Sequence, residues 1–262
     1  MGDQPKLSSW NLHPWEEPPI SGTRGSGTIF FSGCTANCRF CQNYPISQLG
    51  YGELVSIERL AEIVLELQRK GAHNINFVTP THFMPQIMAA LPAAIEGGLR
   101  LPLVYNTSGY ERVEVLRLLE NIVDIWLPDA KYATSQVAQK HSGFSDYIEY
   151  NHATLQEIYR QVGAVLVLDE MGLARRGMII RHLVLPSGQA GTEDVLRWVA
   201  GSLSPSVHIS LMDQYFPAHR AVGDPVLGRK ITSEEYESAL DAYQAAGLEN
   251  GWCQDTTVDV DP

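Results

Sequence analysis

Sulfur is scarce in this chain: four cysteines in 262 residues, far from the disulfide-dense composition of small secreted domains. Positive charge is scarce too. Thirty Asp and Glu face nineteen Lys and Arg, a formal net charge of −11, and no basic stripe interrupts the acidic field, so a phosphate backbone would be repelled. Nucleic acid is not an expected partner. No apolar run approaches the roughly 20 residues that cross a bilayer, so no membrane segment is predicted. The opening "MGDQPKLSSW" lacks the basic and apolar regions of a secretion signal, and Lys6 breaks the N-myristoylation pattern. A cytoplasmic location is the expectation, and in a reducing compartment clustered cysteines point to metal or redox chemistry. The composition, 44% hydrophobic and 19% charged, suits one soluble domain with a sizeable core.

Three of the four cysteines fall within eight residues, Cys34, Cys38 and Cys41 in "FFSGCTANCRFCQNY". The segment before them, "TIFFSG", reads as a buried strand. Helical periodicity follows in "SIERLAEIVLELQRKG", with Ser56 placed to cap its start and Gly71 its end. The alternation then repeats: strand "NINFVTP", helix "PQIMAALPAAIEGG" begun at Pro85 and kinked at Pro92, strand "LPLVYNTSG", helix "ERVEVLRLLEN", strand "IVDIWLPDAKY" and a helix around "HATLQEIYRQVG". "AVLVLDEMGLARRGMIIRHLVLP" reads as two strands about a turn, followed by a helix from Thr192 to Leu203. "SVHISLMDQYFP" is expected to be the last strand. Thr232 and Glu235 form a possible capping box for the final helix, beyond which a polar tail is expected.

Such alternation predicts an α/β fold with a parallel sheet, and about six units would bend into an open or closed β/α barrel. The expected organisation is one domain, with a leader over residues 1–25, a barrel core over 26–217 and a helical extension over 218–262. The cysteine loop, "TPTH", "NTSG" and "DAKY" each follow a strand directly. Parallel strands end on one face, so a single pocket is predicted to receive all four. Three thiolates at this spacing can wrap one metal centre, and no His stands regularly beside them to complete a tetrahedral zinc. The alternative is a cubane 4Fe-4S cluster with its fourth iron open to a small molecule. "GTRGSG" precedes a strand and opens no helix, so it is not a phosphate loop.

"CTANCRFC" resembles the cysteine motif of the radical S-adenosylmethionine superfamily, with an aromatic, Phe40, before the last cysteine. "GTIFFSGC", "CQNYPIS", "VTPTHF" and "IRHLVLP" are similar to relatives of pyruvate formate-lyase activating enzyme, over roughly Gly25 to Pro217. The resemblance implies a partial (β/α)6 TIM-like barrel, a 4Fe-4S cluster on Cys34, Cys38 and Cys41, and S-adenosyl-L-methionine chelated at the open iron. It also implies a flavodoxin or ferredoxin electron donor, and an unidentified protein, peptide or small-molecule substrate attacked by a 5′-deoxyadenosyl radical. Phe40 matches the position beside the adenine. Asp129 and Lys131 resemble the family's Asp-x-Lys contact to the cofactor, Asn106 and Ser108 its ribose and carboxylate side, and Arg181 and Leu183 its fifth-strand motif.

This chain departs from the activating enzymes after the second strand. Where they carry Gly-Gly-Glu for the cofactor's amino group it has Thr79, Pro80 and Thr81, whose carbonyl and hydroxyl oxygens are expected to accept that ammonium's hydrogens, and then His82. Gln214 and Tyr215, after the last expected strand, are candidates for substrate or cofactor contact. His13, Glu16 and Glu17 can reach over the barrel mouth, although a leader packed by Trp10 and Trp15 is the plainer account. Cys253 is expected to be incidental. The competing function is a non-catalytic iron-sulfur or zinc module.

Overall fold

The structure, a computed structural model, describes residues 2–253. Its strands and helices run β1 (Lys6–His13), α1 (Pro18–Ser21), β2 (Ser26–Phe31), α2 (Tyr44–Ser47), β3 (Glu53–Leu54), α3 (Ile57–Arg69), β4 (Ile75–Val78), α4 (Met84–Glu96) and β5 (Leu103–Thr107). They continue α5 (Val113–Leu118), β6 (Ile125–Pro128), α6 (Ser135–Ser142), α7 (Tyr147–Val162), β7 (Val167–Leu168), β8 (Ala174–Leu183), α8 (Thr192–Ser202), β9 (His208–Met212), α9 (Ser233–Ala245) and β10 (Asn250–Cys253).

Local chemistry accounts for the helices read from sequence. The Ser56 hydroxyl accepts the Arg59 N–H at the start of α3, and Leu60, Ala61, Ile63, Val64 and Leu67 bury its stripe. The capping box of Thr232 and Glu235 opens α9. Pro92 lies inside α4, which continues through it to Glu96.

Strands β2, β4, β5, β6, β8, β9 and β10 are parallel and neighbour one another in chain order, the arrangement that helical crossovers impose. The sheet is open, with β10 at one end and β3 at the other, and is a partial TIM-like barrel of the kind expected. The two-residue period sorts its side chains. Tyr105, Trp126, Met178 and Ile180 turn outward into a core shared with Leu116, Leu155, Leu196 and Tyr236 of the helices. Their neighbours Val104, Ile125, Leu127 and Ile179 turn the other way and meet Ile20 of α1.

Three strands were not legible. β1 pairs antiparallel with β2, but a bulge between Leu7 and Ser9 breaks the alternation that would have revealed it. The leader thus supplies a strand, Lys6–His13, and a buried helix, Pro18–Ser21. β3 has two residues. β10 corrects the expectation that the chain's last strand is "SVHISLMDQYFP": it lies beyond α9 and pairs with β9. Only Trp252 and Cys253 in "NGWC" are apolar, so the edge of β9, not its own pattern, makes this segment a strand. Helix α6 was missed as well, although Thr134 caps its start and Gly143, at φ 74°, its end. No helix among the described residues is long and apolar enough to cross a membrane.

Candidate functional site

Backbone pairing continues past the strand ends and gathers the polar loops. The Thr79 N–H donates to the Asn106 carbonyl (3.0 Å), Asp129 N–H to Thr107 (2.9 Å), Ala130 N–H to Arg181 (2.9 Å) and Val184 N–H to Met212 (3.0 Å). The loops after β4, β5, β6, β8 and β9 therefore share one edge, as the pattern of strand-terminal polar residues predicted.

The cysteine loop leaves β2 at the same edge. It is clamped by α6, whose Ser142 and His141 carbonyls accept the Asn37 and Arg39 N–H groups, both at 2.8 Å. Phe40 and Cys38 are buried in a cluster with Tyr132, Tyr147, Leu185 and Tyr215, and Cys34, Cys41 and Leu183 border it. Phe40 meets Tyr215 edge-on at 5.6 Å between ring centres. The Tyr215 hydroxyl donates to the Leu227 carbonyl at 2.7 Å, which anchors its ring in this cluster.

Each sulfur has its own polar neighbour: the Ala36 N–H for Cys34 (3.3 Å), the Ser142 hydroxyl for Cys38 (3.0 Å) and the Ser47 hydroxyl for Cys41 (3.1 Å). Among the described residues no three His, Cys, Asp or Glu side chains are already drawn together as a metal-ligand set. The thiols nevertheless lie close enough to feel one another's charge. Burial pushes Cys34 up to about 11, with Cys38 and Cys41 adding to it, and burial likewise raises Cys38. Thiolates in such surroundings need a cation beside them. A three-thiol donor set in an apolar cage, with hydroxyl and amide donors for its sulfurs, fits a cluster that leaves one metal open to a small ligand.

Asp129 and Lys131 form an ion pair of 2.5 Å at the edge of this cage, mostly buried. Burial opposes the Lys131 charge, but Asp129 and the thiols of Cys38 and Cys34 more than offset it and hold its pKa above the usual value. The pair is built from α7. The Tyr147 hydroxyl accepts the Lys131 N–H (2.8 Å), and the Asn151 amide donates to the carbonyls of Gly109 and Asp129, both at 2.9 Å. Gly109, at φ 69°, sits so tightly that a Cβ there would lie 2.1 Å from the Asp129 oxygen. Sequence reading missed Tyr147 and Asn151, because a buried polar pair on a helix gives no pattern until the loops it ties are known.

Asn106 is buried at the end of β5, and Ser108 is half-buried beside the Tyr147 hydroxyl. Thr79 adopts φ 57°, a left-handed turn in which a β-branched residue is strained. Pro80 is buried, and the Thr81 hydroxyl donates to the buried Glu111 carboxylate at 2.5 Å. Thr107 donates to the same oxygen, and burial raises the carboxyl to about 6. Glu111 is another group the sequence did not reveal. His82 donates from Nε2 to the Ser32 carbonyl at 2.9 Å, which ties it to the backbone just before the cysteine loop. Arg181 is turned toward Glu17 (3.0 Å) and Glu16 (3.9 Å), while Gln214 is exposed and accepts from the Gln42 amide through its carbonyl at 2.9 Å. The leader is packed differently from expectation. Trp10 stacks under Arg59 (5.8 Å), whereas Trp15 is 77% exposed. Cys253 is exposed in β10, remote in sequence from the cysteine loop.

Comparison with known proteins agrees with this architecture. An uncharacterised protein of Methanocaldococcus jannaschii is 30% identical over 237 residues, covering 86% of this chain and 63% of its own length. A radical SAM methyltransferase from Sphaerobacter thermophilus superposes with a TM-score of 0.57 at 17% identity, covering 87% of this chain and 65% of its own. The anSMEcpe structure with bound AdoMet and Cp18Cys peptide gives 0.56 at 10% identity, covering 84% and 60%. This chain thus spans less than two thirds of each of these proteins. The family model described as the radical SAM superfamily, whose members bind a 4Fe-4S cluster and S-adenosylmethionine, matches residues 28–158, half of the chain and the part that holds the three thiols and the Asp129–Lys131 pair. The chain belongs to the radical SAM superfamily.

Proposed function

We propose that this protein cleaves S-adenosylmethionine reductively and uses the resulting radical to remove a hydrogen atom from a substrate. When bound, a 4Fe-4S cluster with S-adenosylmethionine supplies one electron to the sulfonium, giving methionine and a 5′-deoxyadenosyl radical that takes a hydrogen atom from a C–H bond. The observation that carries this reading is the mostly buried Asp129–Lys131 pair, placed where its charge reaches Cys34 and Cys38.

The chain's own residues would then act as follows. Cys34, Cys38 and Cys41 hold the cluster. Lys131 and Asp129 offer opposite charges to the carboxylate and the ammonium or ribose hydroxyls of the cofactor, fixed in direction by Tyr147 and Asn151. Thr79, Pro80 and Thr81 take the place of an acidic motif for the ammonium. Glu111 absorbs the Thr81 hydrogen and leaves that oxygen as an acceptor. Asn106 and Ser108 serve the ribose and carboxylate side, Arg181, Leu183 and Gln214 complete the wall, and Phe40 covers the adenine. The aromatic cage excludes water that would quench a radical.

An activating-enzyme-like role, with a protein glycine as hydrogen donor, a flavodoxin or ferredoxin as reductant and a cytoplasmic location, is consistent with this site. The test is anaerobic reconstitution with iron and sulfide, reduction by dithionite, and quantification of 5′-deoxyadenosine and methionine. Equal amounts of both are expected, with none from Cys38→Ala. A fully loaded cluster that yields no 5′-deoxyadenosine, or a protein that holds one zinc and no sulfide, would replace the proposal with an electron-transfer or structural module.

A further inference from the structure

A small recess lies between the leader and the ends of β8, β9 and β10. Its volume is about 100 Å³, and Trp15, Glu17, Arg181, Ser210, Gln214 and Trp252 line it together with Glu16. By the volume of liquid water this is room for roughly three water-sized groups. It adjoins the candidate active site. Asp129 bridges to Arg181 in the sheet, and Gln42, next to Cys41, donates to the Gln214 carbonyl.

Charge inside the recess does not balance. The Glu16 and Glu17 side chains are 7% and 4% exposed, and among the described residues the cation ion-paired with them is Arg181, at 18%. Of the other titratable groups that reach them, Asp129 is paired with Lys131, and the half-buried His13, edge-on to Phe30, acts on Glu16. Burial raises the Glu16 carboxyl above its ordinary value, against the pull of Arg181; with both carboxylates ionised, the single guanidinium leaves one negative charge over in a desolvated place, where an unpaired charge is costly.

The unused hydrogen-bonding capacity points the same way. Among the described residues Glu17 Oε2, on a residue that lines the recess, is a buried acceptor with no donor, and Arg181 Nε approaches Glu17 Oε1 without hydrogen-bond alignment. Asn76, which is not part of the lining, donates its amide to Glu16 Oε1 at 3.1 Å. Buried polar groups are rarely left so, and an orphaned carboxylate oxygen calls for a donor. An ammonium has three donors and no acceptor, and carries the missing charge. Trp15, 77% exposed, and the partly buried Trp252 supply aromatic walls at the rim, which attract a cation.

We infer that this recess binds a primary ammonium group on a short alkyl stem, and hence that the substrate is an amine. The identification as substrate rests on the function proposed above; the binding site itself does not. A larger head group would have to extend out through the open side of the recess, and an anion would face Glu16 and Glu17.

The test uses the cluster-loaded protein, held anaerobically, with the emission of its tryptophans as readout. Propylammonium is expected to give a saturable change, with 1-propanol and butyrate at least tenfold weaker. Glu17→Gln is expected to weaken propylammonium at least tenfold while keeping the iron-sulfur absorbance, which reports folding. If that variant does not fold, the comparison of charged and neutral probes on the unaltered protein decides. Equal binding of propylammonium and propanol, potassium chloride acting as well as the amine, or displacement of the amine by S-adenosylmethionine would each overturn the inference. Nα-acetyl-lysine amide binding as well as propylammonium would uphold it and assign the amine to a peptide side chain, and propylammonium alone would assign it to a free small amine. Because no turnover is needed, a protein that binds amines but makes no 5′-deoxyadenosine separates failure of the proposed function from failure of this site.

Discussion

Lys131 and Asp129, two residues apart, close an ion pair of 2.5 Å across the start of a single loop. Residues at that spacing on a continuing strand would share a face, but the chain turns after Pro128, and Tyr147 and Asn151 hold the turn from behind. Lys131→Gln removes the cation while keeping a hydrogen-bond donor. S-adenosylmethionine affinity is expected to fall at least tenfold, about 1.4 kcal/mol, with iron content unchanged. Isothermal titration at equal cluster loading measures it, and unchanged affinity would take Lys131 out of the cofactor site.

Ser142 joins two parts of the cage, since its hydroxyl lies 3.0 Å from Cys38 Sγ and 2.6 Å from the Tyr132 hydroxyl. Hydrogen bonds to ligated sulfur raise a cluster's reduction potential. Ser142→Ala is expected to lower it by something on the order of tens of millivolts, small against the ~1 V that such clusters span. A redox titration followed by electron paramagnetic resonance gives the shift. No shift would mean that the hydroxyl does not meet the cluster's sulfur.

Burial raises the Glu111 carboxyl to about 6, against the two threonine hydroxyls that pull it down. Folding therefore favours its protonated form. That contribution is complete below the unfolded carboxylate's pKa of ~4.3 and is lost as pH rises through about 6, a change of about 2 kcal/mol. Glu111→Gln should flatten this part of the stability curve, read by urea unfolding at a series of pH values. A slope that survives the substitution would assign the titration to another group.

Gly109 has no room for a side chain. A Cβ would meet the Asp129 carbonyl at 2.1 Å and the Asn151 amide at 2.4 Å, from a φ of 69°. Gly109→Ala is expected to cost about 2–5 kcal/mol, the sum of backbone strain and overpacking. Thermal unfolding measures the loss. S-adenosylmethionine binding should suffer beyond it, because the displaced carbonyl belongs to Asp129.

Much of the barrel was legible because its signals are local. The stripe of α3, the capping box of α9 and the apolar runs of the parallel strands each lie within a few residues of chain. The elements that escaped lack such a local signal: β1 carries a bulge, β3 has two residues, and β10 forms on the edge that β9 offers. The motif residues were legible for the same local reason, since Cys34, Cys38 and Cys41 declare themselves by spacing.

By itself the sequence determined that strands and helices alternate, that their polar ends are Thr79 to His82, Asn106 to Gly109 and Asp129 to Lys131, and that three thiols share one loop. Tertiary structure alone decided which groups stand behind them. Ser142 reaches Cys38 across 104 residues, Glu111 reaches Thr81 across 30, and Glu16 and Glu17 come to Arg181 from the far end of the chain. Burial and pairing at such separations follow from how the sheet curls and what the leader fills, and no local pattern carries that information.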